Sequence, residues 1–211
     1  GKVPTAAEIK DGTVDATERQ LLKFQTDTTA VPSTGLPGDR VFETAMGKEV
    51  AAVRATAMGA DGALYVLAEI DGESSEQLLQ GTRDVALMKY DSTGKLLYTR
   101  TLGAADEASG LALSVSADGK VAIAGSVTGA LSGAAEGALN SGAESEKSDS
   151  FVTLFNADGE EMWTVRRGAR EDDVAQAVAF GDDGTVYVAG RTQSAMMGTT
   201  TVGGFDNYLT A

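Results

Sequence analysis

The side chains in this chain that cluster in ways suited to chemistry are carboxylates. Glu171, Asp172 and Asp173 stand together, and Asp106-Glu107 form a shorter group. Carboxylates crowded in a turn can hold a hard cation such as calcium through oxygen. No Asp-x-Asp-x-Asp-Gly loop or nine-residue calcium repeat accompanies them. The sequence therefore reads both groups as solvated turns or contacts at a strand start, with Glu171, Asp172 and Asp173 as the candidates for a metal. Asp84, Asp149 and Asp206 open three similar stretches, "DVALMKYDSTG", "DSFVTLFNADG" and "DNYLTA". An aspartate at such a corner accepts backbone N–H bonds and fixes the chain there. Paired carboxylates for glycoside cleavage would need one raised pKa and a set separation, and sequence displays neither. Phe42, Tyr98 and Trp163 recur in step and suit either packing or sugar stacking. The basic cluster Arg166-Arg167-Gly168-Ala169-Arg170 is expected to pair with Glu160, Glu161 or the acids that follow it.

What is missing narrows the chemistry further. The chain of 211 residues holds no cysteine and no histidine. Disulfides, thiolate nucleophiles, Cys-ligated zinc, the Ser-His-Asp triad and the commonest general base are excluded together. No catalytic residue, organic cofactor or required metal is therefore expected. The formal net charge of −14 repels nucleic acid and anionic lipid, which need clustered Lys and Arg. No apolar run approaches the roughly 20 residues that span a bilayer, and the opening "GKVPTAAEIKDGT" has no signal-peptide apolar core.

The elements that must position these residues are repeated. A sentence ending in glycine closes at Gly47, Gly103 and Gly168, about 56 and 65 residues apart, with Phe42, Tyr98 or Trp163 five residues earlier. Asp-Gly pairs at 61–62, 118–119 and 183–184 each precede an apolar run, "ALYVLAEI", "KVAIAGSV" and "TVYVAGRT". The Asp-led stretches keep the same order. Within "ALYVLAE" both faces of a period-two pattern are largely apolar, as in strands packed on two sides. Asp-Gly and Thr-Gly suit tight hairpins, since glycine tolerates positive φ.

The spacing predicts four-stranded antiparallel meanders. The first has strands at 51–57, 63–69, 84–90 and 95–101. The second has strands at 110–116, 120–126, 150–155 and 161–166. The third has 173–179, 185–191 and 206–211. Repeats of this length and content indicate an all-β fold of β-propeller-type blades. About three repeats are present, below the usual four to eight blades of a ring. The chain is therefore expected to be a piece of a larger ring, with two chains sharing a ring or an open array as alternatives.

"ADGKVAIAGSVTG", "GDDGTVYVAGRTQS" and "GTRDVALMKYDSTGKLLYTRTLGA" resemble the bacterial propeller repeats called SBBP repeats over residues 38–211. Gly-Ala at 103–104 and 168–169 replaces the usual Gly-Gly. More narrowly, "LLKFQTDTT", "TRDVALMKYD" and "RTLGA" are similar to the distal part of alphaproteobacterial flagellar regulatory proteins of the FlaEY type. The resemblance implies a non-catalytic scaffold or interaction module with a protein partner, secreted or at the cell surface and flagellum. A glycan-binding or glycan-cleaving propeller is the alternative.

Two segments are expected: an extension and linker at 1–37, and the repeat region at 38–211. "DATERQLLKFQ" has a helical pattern anchored by Leu21, Leu22 and Phe24, and "TDTTAVPSTGLPG" reads as a linker. The insert at 129–148 is rich in Gly, Ala and Ser and reads as a loop. It shares its place in the repeat with 71–82 and 194–204, so three loops gather on one face as the expected recognition surface. Residues 40–46 match a fourth strand without its first three, and 206–211 a third without its fourth. These open edges are expected to support self-association or docking onto missing blades of a longer parent protein.

Overall fold

The computed structural model describes residues 28–29, 43–44, 50–71, 83–104, 107–128, 131–132, 147–168, 171–193 and 204–211. The described residues form strands and turns, with no helix among them. Three antiparallel meanders follow one another. The first is β3 (Val50–Met58), β4 (Leu64–Asp71), β5 (Arg83–Tyr90) and β6 (Leu96–Ala104). The second is β7 (Glu107–Val115), β8 (Val121–Thr128), β10 (Asp149–Phe155) and β11 (Glu161–Arg167). The third is β12 (Asp173–Phe180), β13 (Val186–Thr192) and β14 (Asp206–Thr210). A single parallel pair, Arg83 with Glu107, joins the first two meanders into one sheet. The strands fall where the alternating pattern and the turns place them. The sheets do not close on themselves.

The hairpins are built alike, for a local reason. In each, the glycine amide donates back three residues, as from Gly62 to Gly59 O at 3.0 Å and from Gly119 to Ser116 O at 3.0 Å. Gly62, Gly94, Gly119, Gly159 and Gly184 take φ between 77° and 85°, which an L side chain adopts only at a cost. Irregularities repeat too. The first strand of every meander shifts register nine to seven residues before its turn glycine, at Val53/Ala55, Gly110/Ala112 and Ala175/Ala177. An extra residue at that point bends the strand and increases its twist. The bend brings the first strand onto the second: a Cβ built on Gly125 or Gly190 would overlap the carbonyl of Ser109 or Val174.

Packing between meanders supplies the core. Tyr65, Leu67, Val85, Leu87, Tyr98 and Leu102 of the first meet Val121, Ile123, Phe151 and Phe155 of the second. Ala112 and Ala124 of the second meet Ala175 and Val188 of the third, a thinner layer of smaller side chains. The opposite face of the first meander, with Val66, Ile70, Met88 and Tyr90, is also buried. In the third meander the face that matches Tyr65 and Leu87 lies open: Tyr187 and Leu209 are 41% and 73% exposed.

Two places differ from expectation. β2 (Glu43–Thr44) pairs antiparallel with β1 (Thr28–Thr29), which lies inside the stretch that reads as a linker. β9 (Leu131–Ser132), inside the insert that reads as a loop, pairs with Ala104 and Gly103 at the end of β6. In both, a neighbouring strand edge decides what local composition does not. The helical pattern anchored by Leu21, Leu22 and Phe24 lies outside the described residues, as does Phe42. None of the described residues forms a helix long and apolar enough to cross a membrane.

Candidate functional site

The ladder registers put the start of β3, the end of β4, the start of β5 and the end of β6 at one end of the first meander. The second meander repeats the arrangement. The long connections between second and third strands therefore leave from one end, with the crossings between meanders. Most residues of those connections lie outside the described set. The described side chains beneath them carry the charged groups of the site.

In the first meander, Glu69 is 1% exposed, in a strand whose one other charged residue is its last, Asp71. Its carboxylate accepts from Arg54 Nη2 at 2.7 Å and from the Ser109 hydroxyl, and lies 3.6 Å from Arg83 Nη1. Burying a carboxylate is costly unless it is paired and hydrogen-bonded. Here Arg54 comes from β3, Arg83 from β5 and Ser109 from β7 of the next meander. The cluster ties two meanders together, and its acceptor oxygens are taken. A lone Glu in "LYVLAEID" is the only sequence sign of it.

In the second meander, Asp149 and Arg166 form an ion pair at 2.6 Å with both side chains fully buried. Arg166 stands opposite Phe151 in the ladder, so its side chain shares the face of Asp149, two residues earlier. Asp149 stands outside the partners expected for the basic cluster, which were Glu160, Glu161 or the acids that follow it. Burial pushes the Asp149 carboxyl above its ordinary pKa, the Arg166 bond and charge pull it back, and nearby Asp173 pushes it up again. Gly168 belongs to the same unit, because a Cβ there would occupy the space of the Asp149 carboxylate. Asp84 is likewise buried, at 2% exposure, and Asp206 is half-buried.

The metal candidates Glu171, Asp172 and Asp173 are turned to different tasks. Glu171 is half-exposed, 3.9 Å from Lys147 Nζ. Asp172 Oδ1 accepts from the Ser148 amide at 2.9 Å and its hydroxyl at 3.0 Å, and the amide bond lowers its pKa. Asp173 is 2% exposed, and its amide donates to Ser148 O at 2.7 Å. The pair clips the start of β12 to the start of β10. Among the described residues no three acidic side chains converge as a metal site would require. Asp106 lies outside them, and Glu107 is exposed on β7.

The recurring aromatics separate into two states. Tyr98 is buried, with the Arg100 guanidinium 4.7 Å from its ring centre. Arg100 donates to the carbonyls of Gly159 and Asp158 in the last hairpin of the next meander. Tyr98 is thus a packing residue between meanders. Trp163, its counterpart, lines an open cleft of about 270 Å³ with Val165, Arg167, Val188 and Tyr208. The cleft lies between the outer strands of the second meander and the third. Arg167 Nη1 reaches across to Thr210 Oγ1 at 3.1 Å. The sequence marks Trp163 by its place in the repeat but does not show that its surroundings are open.

No protein-family model matches the chain. The chain is 48% identical over 215 residues to a protein of Caulobacter vibrioides described as regulatory protein FlaEY, across 97% of its own length. It spans about a fifth of the length of that curated relative, 22%.

Proposed function

We propose that the chain is a non-catalytic β-propeller-type module that scaffolds protein contacts in bacterial flagellar regulation. The meanders are its blades, and the face carrying the long connections is its recognition surface. The observation that carries this reading is where the charged groups go. Glu69, Asp149, Asp172 and Arg166, all near that face, are committed to holding one meander to the next or one strand to another. A frame so braced presents loops without offering an acid or base. The name of the Caulobacter relative, a regulatory protein, supports the same direction. The acidic charge favours a protein partner over nucleic acid. The setting proposed is the cell exterior or the flagellum.

A replacement experiment tests the reading. In the source bacterium, the region encoding these residues is exchanged for a version with the three connecting loops shortened to Gly-Ser linkers. Flagellin level and swimming are expected to change while the protein still accumulates. Wild-type flagellin and swimming would overturn the proposal. Release of reducing sugar from bacterial glycans by the purified chain would do so in favour of the glycan-cleaving alternative.

A further inference from the structure

Four of the described hairpins hold an Asp-Gly pair at the same two turn positions: 61–62, 118–119, 158–159 and 183–184. In all four the glycine amide donates three residues back, at 2.9–3.0 Å. The backbones match, and the carboxylates do not. Asp61 Oδ1 accepts from the Ala63 amide at 3.0 Å, and Asp183 Oδ1 from the Thr185 amide at 2.9 Å. Asp118 is held by the Ser116 hydroxyl and by Lys120 Nζ at 2.6 Å. In the turn of Asp158 the equivalent amide, that of Glu160, is taken by Asn156 Oδ1 at 2.8 Å. Asp158 is exposed, and no described residue bonds its carboxylate. Glycine opens the turns of Asp61 and Asp183, where a Cβ would crowd that same Oδ1, so the asparagine at 156 is what displaces the Asp158 carboxylate. A second difference lies on the peptide itself. Arg100, from the meander before, donates Nε to the Gly159 carbonyl and Nη2 to the Asp158 carbonyl at 3.1 Å. A guanidinium on the Asp158 carbonyl draws electrons from the peptide that carries the Gly159 nitrogen, and so makes its N–H more acidic.

We propose that Asp158-Gly159 is a site of spontaneous isoaspartate formation, set in the joint between the first two meanders. The Gly159 nitrogen gives its proton to solvent and attacks Cγ of the protonated Asp158 carboxyl. The N–Cγ bond forms, and the carboxyl hydroxyl takes a proton back and leaves as water. Water then adds to the former main-chain carbonyl of Asp158 and breaks its bond to that nitrogen, so the chain runs through Cγ. One water is lost and one regained, and no oxidant or cofactor enters. The other three aspartates are held back twice. Their carboxylates must first leave a hydrogen bond, and those same bonds lower their pKa values and leave less of the protonated form. The extra methylene falls where Arg100 grips two carbonyls. It also falls where Gly159 backs onto the Tyr98 ring, which a Cβ there would approach to 2.9 Å. Isomerisation should therefore loosen the joint. The site stands on the comparison of turns alone, whatever the module's role in flagellar regulation.

The test ages the 211-residue chain at neutral pH, native and in urea, and maps its peptides by electron-transfer fragmentation, which tells isoaspartate from aspartate. In urea the four sites should convert at similar rates, because only local sequence is left. In the native chain Asp158 should convert roughly three- to tenfold faster than the other three, the factor that one ordinary hydrogen bond imposes. Asn156→Gly returns the Glu160 amide to Asp158, as in the two glycine-led turns, and should slow conversion at Asp158 alone. Arg100→Gln should slow it as well, with the other three sites unchanged. Asn156 lies in a turn, so its variant keeps the test decisive even where Arg100→Gln unfolds the chain. The melting midpoint should fall as isoaspartate accumulates, and a chain with Asp158→Glu aged beside it should hold its own. Another site leading in the native chain, the same preference in urea, or conversion at Asp158 unslowed by Asn156→Gly would overturn the proposal. So would faster conversion in a folded Arg100→Gln chain, or a midpoint that stays level as Asp158 converts.

Discussion

Replacing Arg166 by methionine should cost more than any other single change to the charged groups of the site. Asp149 and Arg166 are both fully buried, and their contact is 2.6 Å. Methionine fills similar space but leaves a carboxylate in a dry interior. Removing one partner of a buried pair typically costs about 3–5 kcal/mol. Each kcal/mol lowers the midpoint of a domain this size by about 2–4 °C, so the melt should fall by about 6–20 °C. The loss should depend on pH with a definite sign. The Asp149 carboxyl is already raised above its ordinary value of 3.8, first by burial. The stability linked to a raised carboxyl is fully present below the unfolded pKa and is lost as pH rises through the folded one. Without Arg166 the folded pKa climbs further, so the penalty should be largest near pH 8 and shrink toward pH 4.5. Urea titration followed by Trp163 emission measures it. The double change Asp149→Leu with Arg166→Met should recover most of the loss, because the Asp149 carboxylate is then no longer left without its partner. A cost under about 1 kcal/mol at pH 8, against the expected range, would refute the reasoning. A cost independent of pH would refute it equally.

Gly125→Ala should destabilise by about 1–3 kcal/mol or more by overpacking, since its Cβ meets the Ser109 carbonyl rather than a movable side chain; a neutral result in urea titration would show that β7 shifts freely. Tyr98→Ala should cost about 3–5 kcal/mol in the same titration. Tyr98→Phe should be neutral or slightly stabilising, because the buried hydroxyl finds no partner among the described residues. Acid should unfold the chain through its turns. Asp61, Asp91, Asp172 and Asp183 have lowered pKa values, and Asp118, bonded by Lys120 and Ser116, is lowered to about 2. That stability is present above the ordinary 3.8 and is lost as pH falls through the lowered values, so circular dichroism should show the decline between about pH 4 and pH 2. Stability that stays level across this window would contradict the assignment.

The turns and strands were legible because each is dictated locally. A glycine at φ near 80° after an aspartate, followed by alternating apolar residues, has few structural alternatives. The partners of the charged residues were not legible. Arg166 lies within reach of Glu160 and Glu161 along the chain, yet strand geometry turns it across the ladder toward Asp149, 17 residues away. Glu69 is harder still, because its three partners come from three strands of two meanders. Thr28–Thr29 and Leu131–Ser132 lack strand-like surroundings in sequence and pair only because a neighbouring edge is present. The cleft at Trp163 was not legible from its place in the repeat, since its walls come from four strands of two meanders.

Two markers that look independent in the sequence are one contact in the structure. The glycine that closes the fourth strand and the aspartate that opens the third lie many residues apart, and each recurs on its own. The register brings them together: one step beyond the Ser150–Arg167 pair, Asp149 faces Gly168. One step beyond the Val85–Leu102 pair, Asp84 faces Gly103. At Gly168 the carboxylate fills the space a Cβ would need, so glycine there is fixed by the aspartate and not by its own φ. A covarying pair would therefore be expected where either residue changes, and an aspartate at the head of a third strand implies a glycine at the end of a fourth. Asp206 heads the third strand of the last meander. Its presence there makes a glycine-ended strand the neighbour that the same contact would accept.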